Sequence, residues 1–213
     1  MQKFIFAAAI LVSIAESQIL RQGKCPLMIT AQQNFSVEKF SGLWYEQVYT
    51  RRFSGLNIRC NVEHFTQAGP KNFSLNSFFH SEKSESEFHR ENITYHIRGI
   101  GEVKQSANNS GILRVTIPKM NVTSDVWILE TDYKNFAVLW NCVDMQGANY
   151  MENVEIITRE KYAKNKVLLN ALNVLPKKKI AKTNLSYAAQ TNCPSYEKQL
   201  AKFNLTGDAL ADD

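Results

Sequence analysis

Apolar and polar side chains alternate with a period of two along most of the chain, as in the stretch "FSGLWYEQVYT" from Phe40 to Thr50. That period puts successive side chains on opposite faces, the pattern of a strand buried on one side. Eight segments rich in β-branched and aromatic residues fit it: 43–51, 58–67, 72–80, 92–102, 112–118, 126–131, 136–142 and 154–158. The turn-prone clusters between them, such as "QAGPKN", "QSANNSG" and "DMQGAN", are too short to hide a crossover helix, so successive strands should pair antiparallel. Beyond Arg159 the period changes. Leu168, Ala171, Leu172 and Leu175 recur at i, i+3, i+4 and i+7, which predicts one amphipathic helix ending before Pro176. Eight antiparallel strands and a late helix describe either a closed barrel with the helix outside or a two-sheet sandwich, and spacing alone does not choose.

The opening "MQKFIFAAAILVSIAESQ" breaks both patterns. One early lysine, an apolar run from Phe4 to Ile14, and Ala15 and Ser17 at signal-peptidase spacing mark residues 1–17 as a secretory signal peptide cut before Gln18. A bilayer span needs roughly 20 apolar residues, so this run is too short to be an anchor, and no later segment reads as transmembrane.

Two further features agree with export. Asn-x-Ser/Thr sequons stand at Asn34, Asn72, Asn92, Asn108, Asn121, Asn184 and Asn204, seven where composition predicts about two by chance. The four cysteines, Cys25, Cys60, Cys142 and Cys193, are an even number, which in a secreted chain favours two disulfides; spacing leaves all three pairings open. No CxxC pair exists and the histidines show no ligand spacing with the cysteines, so no metal site is assigned. The 213 residues, 44% apolar and 21% charged, suit one domain. The net charge of +5 does not suggest a nucleic-acid partner, and the "KKK" at Lys177 to Lys179 reads as a solvated helix end. No nucleophile elbow, Walker loop, HExxH or dinucleotide fingerprint appears, so no catalytic residues are assigned and the chain reads as a binder.

Three motifs in order carry a family resemblance. Gly42, Trp44 and Tyr45 follow a short helical turn at "SVEKF"; Thr131, Asp132 and Tyr133 form a turn inside "WILETDYKNFAVLWNC"; Arg159 closes the last strand in "EIITRE". Together they resemble the signatures of the lipocalins, within which the chain is most similar to the apolipoprotein D-like group with the insect bilin-binding proteins and crustacyanins. The resemblance implies an all-β fold: an eight-stranded antiparallel up-and-down barrel with one C-terminal α-helix packed outside. The barrel domain would span 18–196, with a flexible tail over 197–213. It also implies that Trp44 plugs the closed end beneath Arg159, that Asp132 and Tyr133 hold a turn there, and that the disulfides are Cys25–Cys142 and Cys60–Cys193.

If Trp44 points inward, parity puts Glu46 and Val48 on the same face of their strand. The family's cavity positions, carried over to this chain, add Glu63, Phe65, Asn76, Phe78, Val126, Ile128, Leu139, Asn141, Asn153, Glu155 and Ile157, of which the apolar and aromatic members, with Val48, are the expected ligand contacts and Asn141, Asn153 and Glu155 stand beside them. Glu155 departs from the large aromatic usual in relatives, and Glu63 stands where a small residue is common; either both carboxylates face the cavity or the register is one residue off and both face solvent. The implied function is a secreted, extracellular carrier of a small hydrophobic ligand: a lipid, fatty acid, sterol, retinoid or pigment. No cofactor is required, although a bound bilin or carotenoid would make the chain a chromoprotein. A different class of reading is an extracellular protein-interaction module, its barrel filled by its own side chains and its partner a cell-surface receptor. Oligomeric state is not readable from the sequence.

Overall fold

The computed structural model describes residues 20–50, 57–86, 89–104, 110–145 and 148–205. The segment 1–17 expected to be a signal peptide, the Asn108 sequon and the end of the expected tail lie outside them. In chain order the elements are β1 (Leu20–Gln22), α1 (Val37–Phe40), β2 (Gly42–Thr50), β3 (Asn57–Gln67), β4 (Asn72–Ser86), β5 (His89–Val103), β6 (Ile112–Ile117), β7 (Val122–Thr131), β8 (Phe136–Met145), β9 (Asn149–Thr158), α2 (Asn165–Leu172), α3 (Val174–Lys177), β10 (Leu185–Tyr187) and α4 (Tyr196–Lys202). Strands β2 to β9 each pair with the next, antiparallel throughout, and β9 returns to pair with β2. That last pairing decides between barrel and sandwich, because it leaves the eight strands no free edge. The short strands β1 and β10 add onto β9 and β2.

Buried side chains separate into three layers. One cluster draws on all eight barrel strands, with Trp44, Phe65, Phe73, Val103, Leu113, Ile128, Leu139 and Ile157 among its members, and is therefore the barrel interior. A second lies outside β7, β8 and β9, where Val138, Trp140, Val154 and Ile156 meet Ala171 of α2 and Val174 and Leu175 of α3. A third lies outside β3 and β4, where Val62 and Phe78 meet Tyr196.

The closed end explains the first motif. Trp44 is fully buried, and its indole N–H donates to the Phe40 carbonyl at 2.8 Å. The Arg159 guanidinium lies 3.7 Å from the Trp44 ring centroid, a cation–π contact worth about 0.5–2 kcal/mol. Its N–H groups also donate to the carbonyls of Lys39, Phe40, Ser41, Leu43 and Tyr133. Gly42 has φ +105°, and a Cβ there would lie 3.0 Å from Arg159 Nη1, so both backbone conformation and space demand glycine. Asp132 Oδ1 accepts from the backbone N–H groups of Lys134, Asn135 and Phe136. Burial alone would push its carboxyl up, but these bonds and the Asn135 side chain outweigh that and hold it below the ordinary aspartate value. Tyr133 Oη accepts from Gln32 and from the Ser36 N–H, so the second motif fixes the chain leading into α1.

Both disulfides form, Cys25 to Cys142 and Cys60 to Cys193, closing loops of 117 and 133 residues. Two expectations need correction. The predicted single helix breaks at Asn173, and Pro176 sits inside α3, near enough to its start that no helical hydrogen bond is lost. The expected tail from 197 is not a tail at its beginning: α4 runs to Lys202, with Gln199 buried against the barrel wall. Its cue was Ser195, whose hydroxyl caps the helix by accepting from the Lys198 N–H.

Replacing Trp44 by Ala should lower stability by about 3–5 kcal/mol, the range for a truncated buried aromatic. Urea unfolding followed by circular dichroism checks this, and a loss below about 1 kcal/mol would contradict the plug.

Candidate ligand-binding site

The interior above the plug follows from strand register. Residues paired across strands share a face, so Trp44 brings Glu63 of β3 inward, and Ile157 of β9 brings Glu46 of β2. Leu139 of β8 pairs with Glu155, and Asn141 with Asn153. Phe65, Val126, Ile128, Leu139, Asn141, Asn153 and Glu155 thus share the interior face. Phe65, Ile128 and Leu139 belong to the packed base and Val126 packs against it, whereas Asn141, Asn153 and Glu155 lie outside that apolar cluster.

Val48 and Phe78 do not join them. A β-bulge between Glu46 and Val48 shifts the register by one residue, so Val48 pairs with Ile156 and packs outside against the α2–α3 layer; Tyr49 turns inward beside Glu155. In β4 the inward set is Phe73, Leu75, Ser77 and Phe79. Phe65 pairs with Leu75 and Glu63 with Ser77, which puts Phe78 and Asn76 on the outer face. Phe78 packs there against Tyr196 and Phe203. The adjacent "FF" at 78 and 79 satisfies either parity, but the apolar run Phe73, Leu75, Phe79 at period two was the usable signal.

The middle of the barrel is polar. Asn153 Nδ2 donates to Asn141 Oδ1 at 2.8 Å, and Asn141 Nδ2 donates to Ser124 Oγ at 2.9 Å. Across the interior, Ser77 Oγ donates to Asn61 Oδ1 at 3.1 Å. Three carboxylates join this belt on the adjacent strands β3, β2 and β9: Glu63, Glu46 and Glu155. Glu46 is fully buried, and Glu155 Oε1 is buried with no hydrogen-bond partner among the described residues. An unpaired buried carboxylate oxygen costs free energy until something donates to it. The solvent-facing register for the two glutamates is therefore not the one adopted.

Toward the open end, β5 runs on past its pairing with β6, which stops at Ile100 and Thr116. The space beyond holds a pocket of about 680 Å³ that straddles the edge of β5: Phe79, Tyr95, Ile97, Ile117 and Met120 wall it, and His96, Arg98, Ile100 and Lys119 line it too, the first three from the outer face of the strand. Phe79 and Tyr95 stack with centroids 5.0 Å apart. The volume lies within the ~300–1,000 Å³ usual for small-molecule sites. No group of His, Cys, Asp or Glu among the described residues could hold a metal ion, and no described helix is long and apolar enough to cross a membrane.

Glu155→Phe replaces a desolvated carboxylate by ring surface, changing polar burial and apolar contact by about 1 kcal/mol or more each. It should shift the affinity of a neutral fluorescent fatty-acid probe severalfold, while Phe78→Ala should leave it unchanged. Equal affinity in Glu155→Phe and wild type, with intact circular dichroism, would contradict the register given for β9.

No family profile matches the sequence. Apolipoprotein D of Oryctolagus cuniculus is 25% identical over 190 residues, covering 89% of this chain and 95% of that protein. Insecticyanin-B of Manduca sexta and the Lazarillo protein of Schistocerca americana are further homologues. Among solved structures, insecticyanin from the tobacco hornworm superposes with TM-score 0.65 at 18% identity, covering 80% of this chain and 88% of that one. Lobster apocrustacyanin A1 superposes with TM-score 0.61 at 17% identity, covering 82% and 98%.

Proposed function

We propose, from the premise that the homologues and structural neighbours of this chain are all lipocalins, that it is a secreted carrier of a small hydrophobic ligand. The observation that carries the reading is the division of the interior into a sealed base and an open upper half. Trp44, Phe40, Phe65 and Ile128 close the bottom, and at the top a pocket with Phe79, Tyr95 and Ile97 on its inner wall and Arg98 and Lys119 at its rim opens at the edge of β5. A ligand entering at the mouth would bury its apolar body against Phe79, Ile97, Val126 and Leu139, at about 25 cal/mol per Å² removed from water. Its polar end would reach the belt of Asn141, Asn153 and Glu155, where the unpartnered Glu155 oxygen favours a hydrogen-bond donor. The carrier thus suits a lipid, sterol or retinoid with a hydroxyl or similar donor better than a purely hydrocarbon ligand.

Export is part of the proposal, with the mature chain starting near Gln18. Two disulfides support it. So does the exposure of the sequons at Asn34, Asn72, Asn121, Asn184 and Asn204.

Native mass spectrometry of the purified protein, before and after organic extraction, should show a bound mass of a few hundred daltons that extraction removes and a fatty-acid or retinoid probe replaces. A barrel that is empty and refuses every probe would instead favour the protein-interaction module. A strong visible absorption band would identify the ligand as a bilin or carotenoid. The protein expressed through a secretory pathway should also migrate faster after glycosidase treatment; unchanged migration would contradict the glycoprotein reading.

A further inference from the structure

All histidine side chains among the described residues lie on one outer face of the barrel, under one short helix. His64 on β3, His80 on β4 and His96 on β5 face outward beneath α4 and the residues that follow it. His64 Nδ1 lies 2.9 Å from Tyr196 Oη, with the two rings edge-on at 5.0 Å. His96 stacks on Phe78 at 4.5 Å and touches Phe203 at 5.4 Å, and its Nε2 lies 2.9 Å from Asn76 Oδ1. His80 stands beside Gln199 and Lys202 of the helix and Arg59 of its neighbouring strand.

The helix is docked chiefly by apolar contact and by few polar bonds. Tyr196, Leu200, Phe203 and Leu205 cover Val62, Phe78, Leu43 and Tyr45. At its far end Lys202 Nζ donates to Thr94 Oγ1 at 2.8 Å. Just before its start, Cys193 bonds covalently to Cys60.

We propose that this seam is an acid-sensitive latch: protonation of His64, His80 and His96 undocks α4 from the barrel wall, while the Cys60–Cys193 disulfide keeps the released segment tethered. The surrounding charges make protonation unwelcome in the docked state. Arg159 acts on His64, Lys202 and Arg59 on His80, and Arg98 and Lys119 on His96. Among the described side chains the carboxylate at this seam is Glu197, in the exposed first turn of α4, and it acts on Tyr45 and Tyr196. Tyr196 is pushed up to about 12, by burial first and Glu197 second, so it stays protonated throughout.

Burial is the first cause that lowers all three histidines below their ordinary value, with the neighbouring cations second; Gln199 opposes this at His80. An undocked helix exposes the rings and returns them toward about 6.5. Below that pH the undocked state binds more protons than the docked one. Docking is therefore at full strength above about pH 6.5 and weakens as pH falls toward the lowered docked values. Three histidines act on one seven-residue helix, so their contributions accumulate on a single element. His96 also borders the mouth pocket, which places the latch at the edge of the ligand site.

Hydrogen exchange by mass spectrometry on the full-length protein at about pH 7.5 and pH 5, corrected for intrinsic exchange rates, tests this. Protection over 196–205 should fall severalfold at the lower pH, while β8 over 136–140 keeps its protection. The triple variant His64→Gln, His80→Gln, His96→Gln should show equal protection at both values. Wild-type protection that is the same at both, or a triple variant that keeps the wild-type response, overturns the latch. If the triple variant does not fold, imidazole proton resonances of the wild-type protein decide: midpoints below about 6.5 for these three histidines sustain it, and midpoints at or above that value overturn it.

Discussion

The whole barrel depends on one stacked arrangement at its closed end, Arg159 over Trp44 with Gly42 beneath the guanidinium. An eight-stranded barrel has an interior that side chains can fill or that can hold one small molecule, so something rigid must fix where filling stops. Trp44 does this as a flat, fully buried ring. Arg159 sits at the end of the last barrel strand, and its donors reach carbonyls in the first turn, in the entry to β2 and in the β7–β8 turn. It therefore joins the two strands whose pairing closes the barrel. Burial lowers the guanidinium's proton affinity, and Asp132 acts against that.

With the base fixed, the two outer layers reinforce opposite walls. α2 and α3 cover β7, β8 and β9 with fully buried aliphatic contacts, and Cys25–Cys142 ties the N-terminal arm to β8. α4 covers β3 and β4 with fewer apolar contacts and is secured by Cys60–Cys193. Each disulfide closes a long loop and contributes about 2–4 kcal/mol by restricting the unfolded chain. The second fastens an element whose own packing includes titratable rings. Cys60 takes a left-handed backbone conformation, φ 58°, beside the bulge in β3, and its N–H donates to the Ala189 carbonyl. Bulge, disulfide and C-terminal segment are thus one local arrangement.

The interior grades from apolar at the base, through a belt of amides, hydroxyls and carboxylates, to a mouth with Phe79, Tyr95 and Ile97 on its inner wall. The amides satisfy one another in a chain from β9 through β8 to β7. Glu155 retains an unpartnered oxygen. A polar group left in that condition sets a chemical preference for what enters, because a ligand that donates to it removes a cost that a hydrocarbon cannot.

Much of this fold was legible in the chain alone. Period-two alternation set the strands and short turns set their antiparallel order, each from local geometry, whereas the closed end was named by the resemblance that the three motifs carry. The interior faces of β3, β8 and β9 came from the family resemblance, and the strand pairing puts Phe65, Leu139, Asn141, Asn153 and Glu155 on the inner face. Val48 is not on it, since a single extra residue at Gln47 reverses every side chain beyond it and leaves no mark in the composition. Nor is Phe78, since two adjacent phenylalanines fit either face. The docking of α4 was equally hidden: its apolar side meets strands more than a hundred residues earlier, and only the assembled wall shows which surface was waiting for it. Local geometry determined what each segment is, and long-range register and packing determined which way it faces.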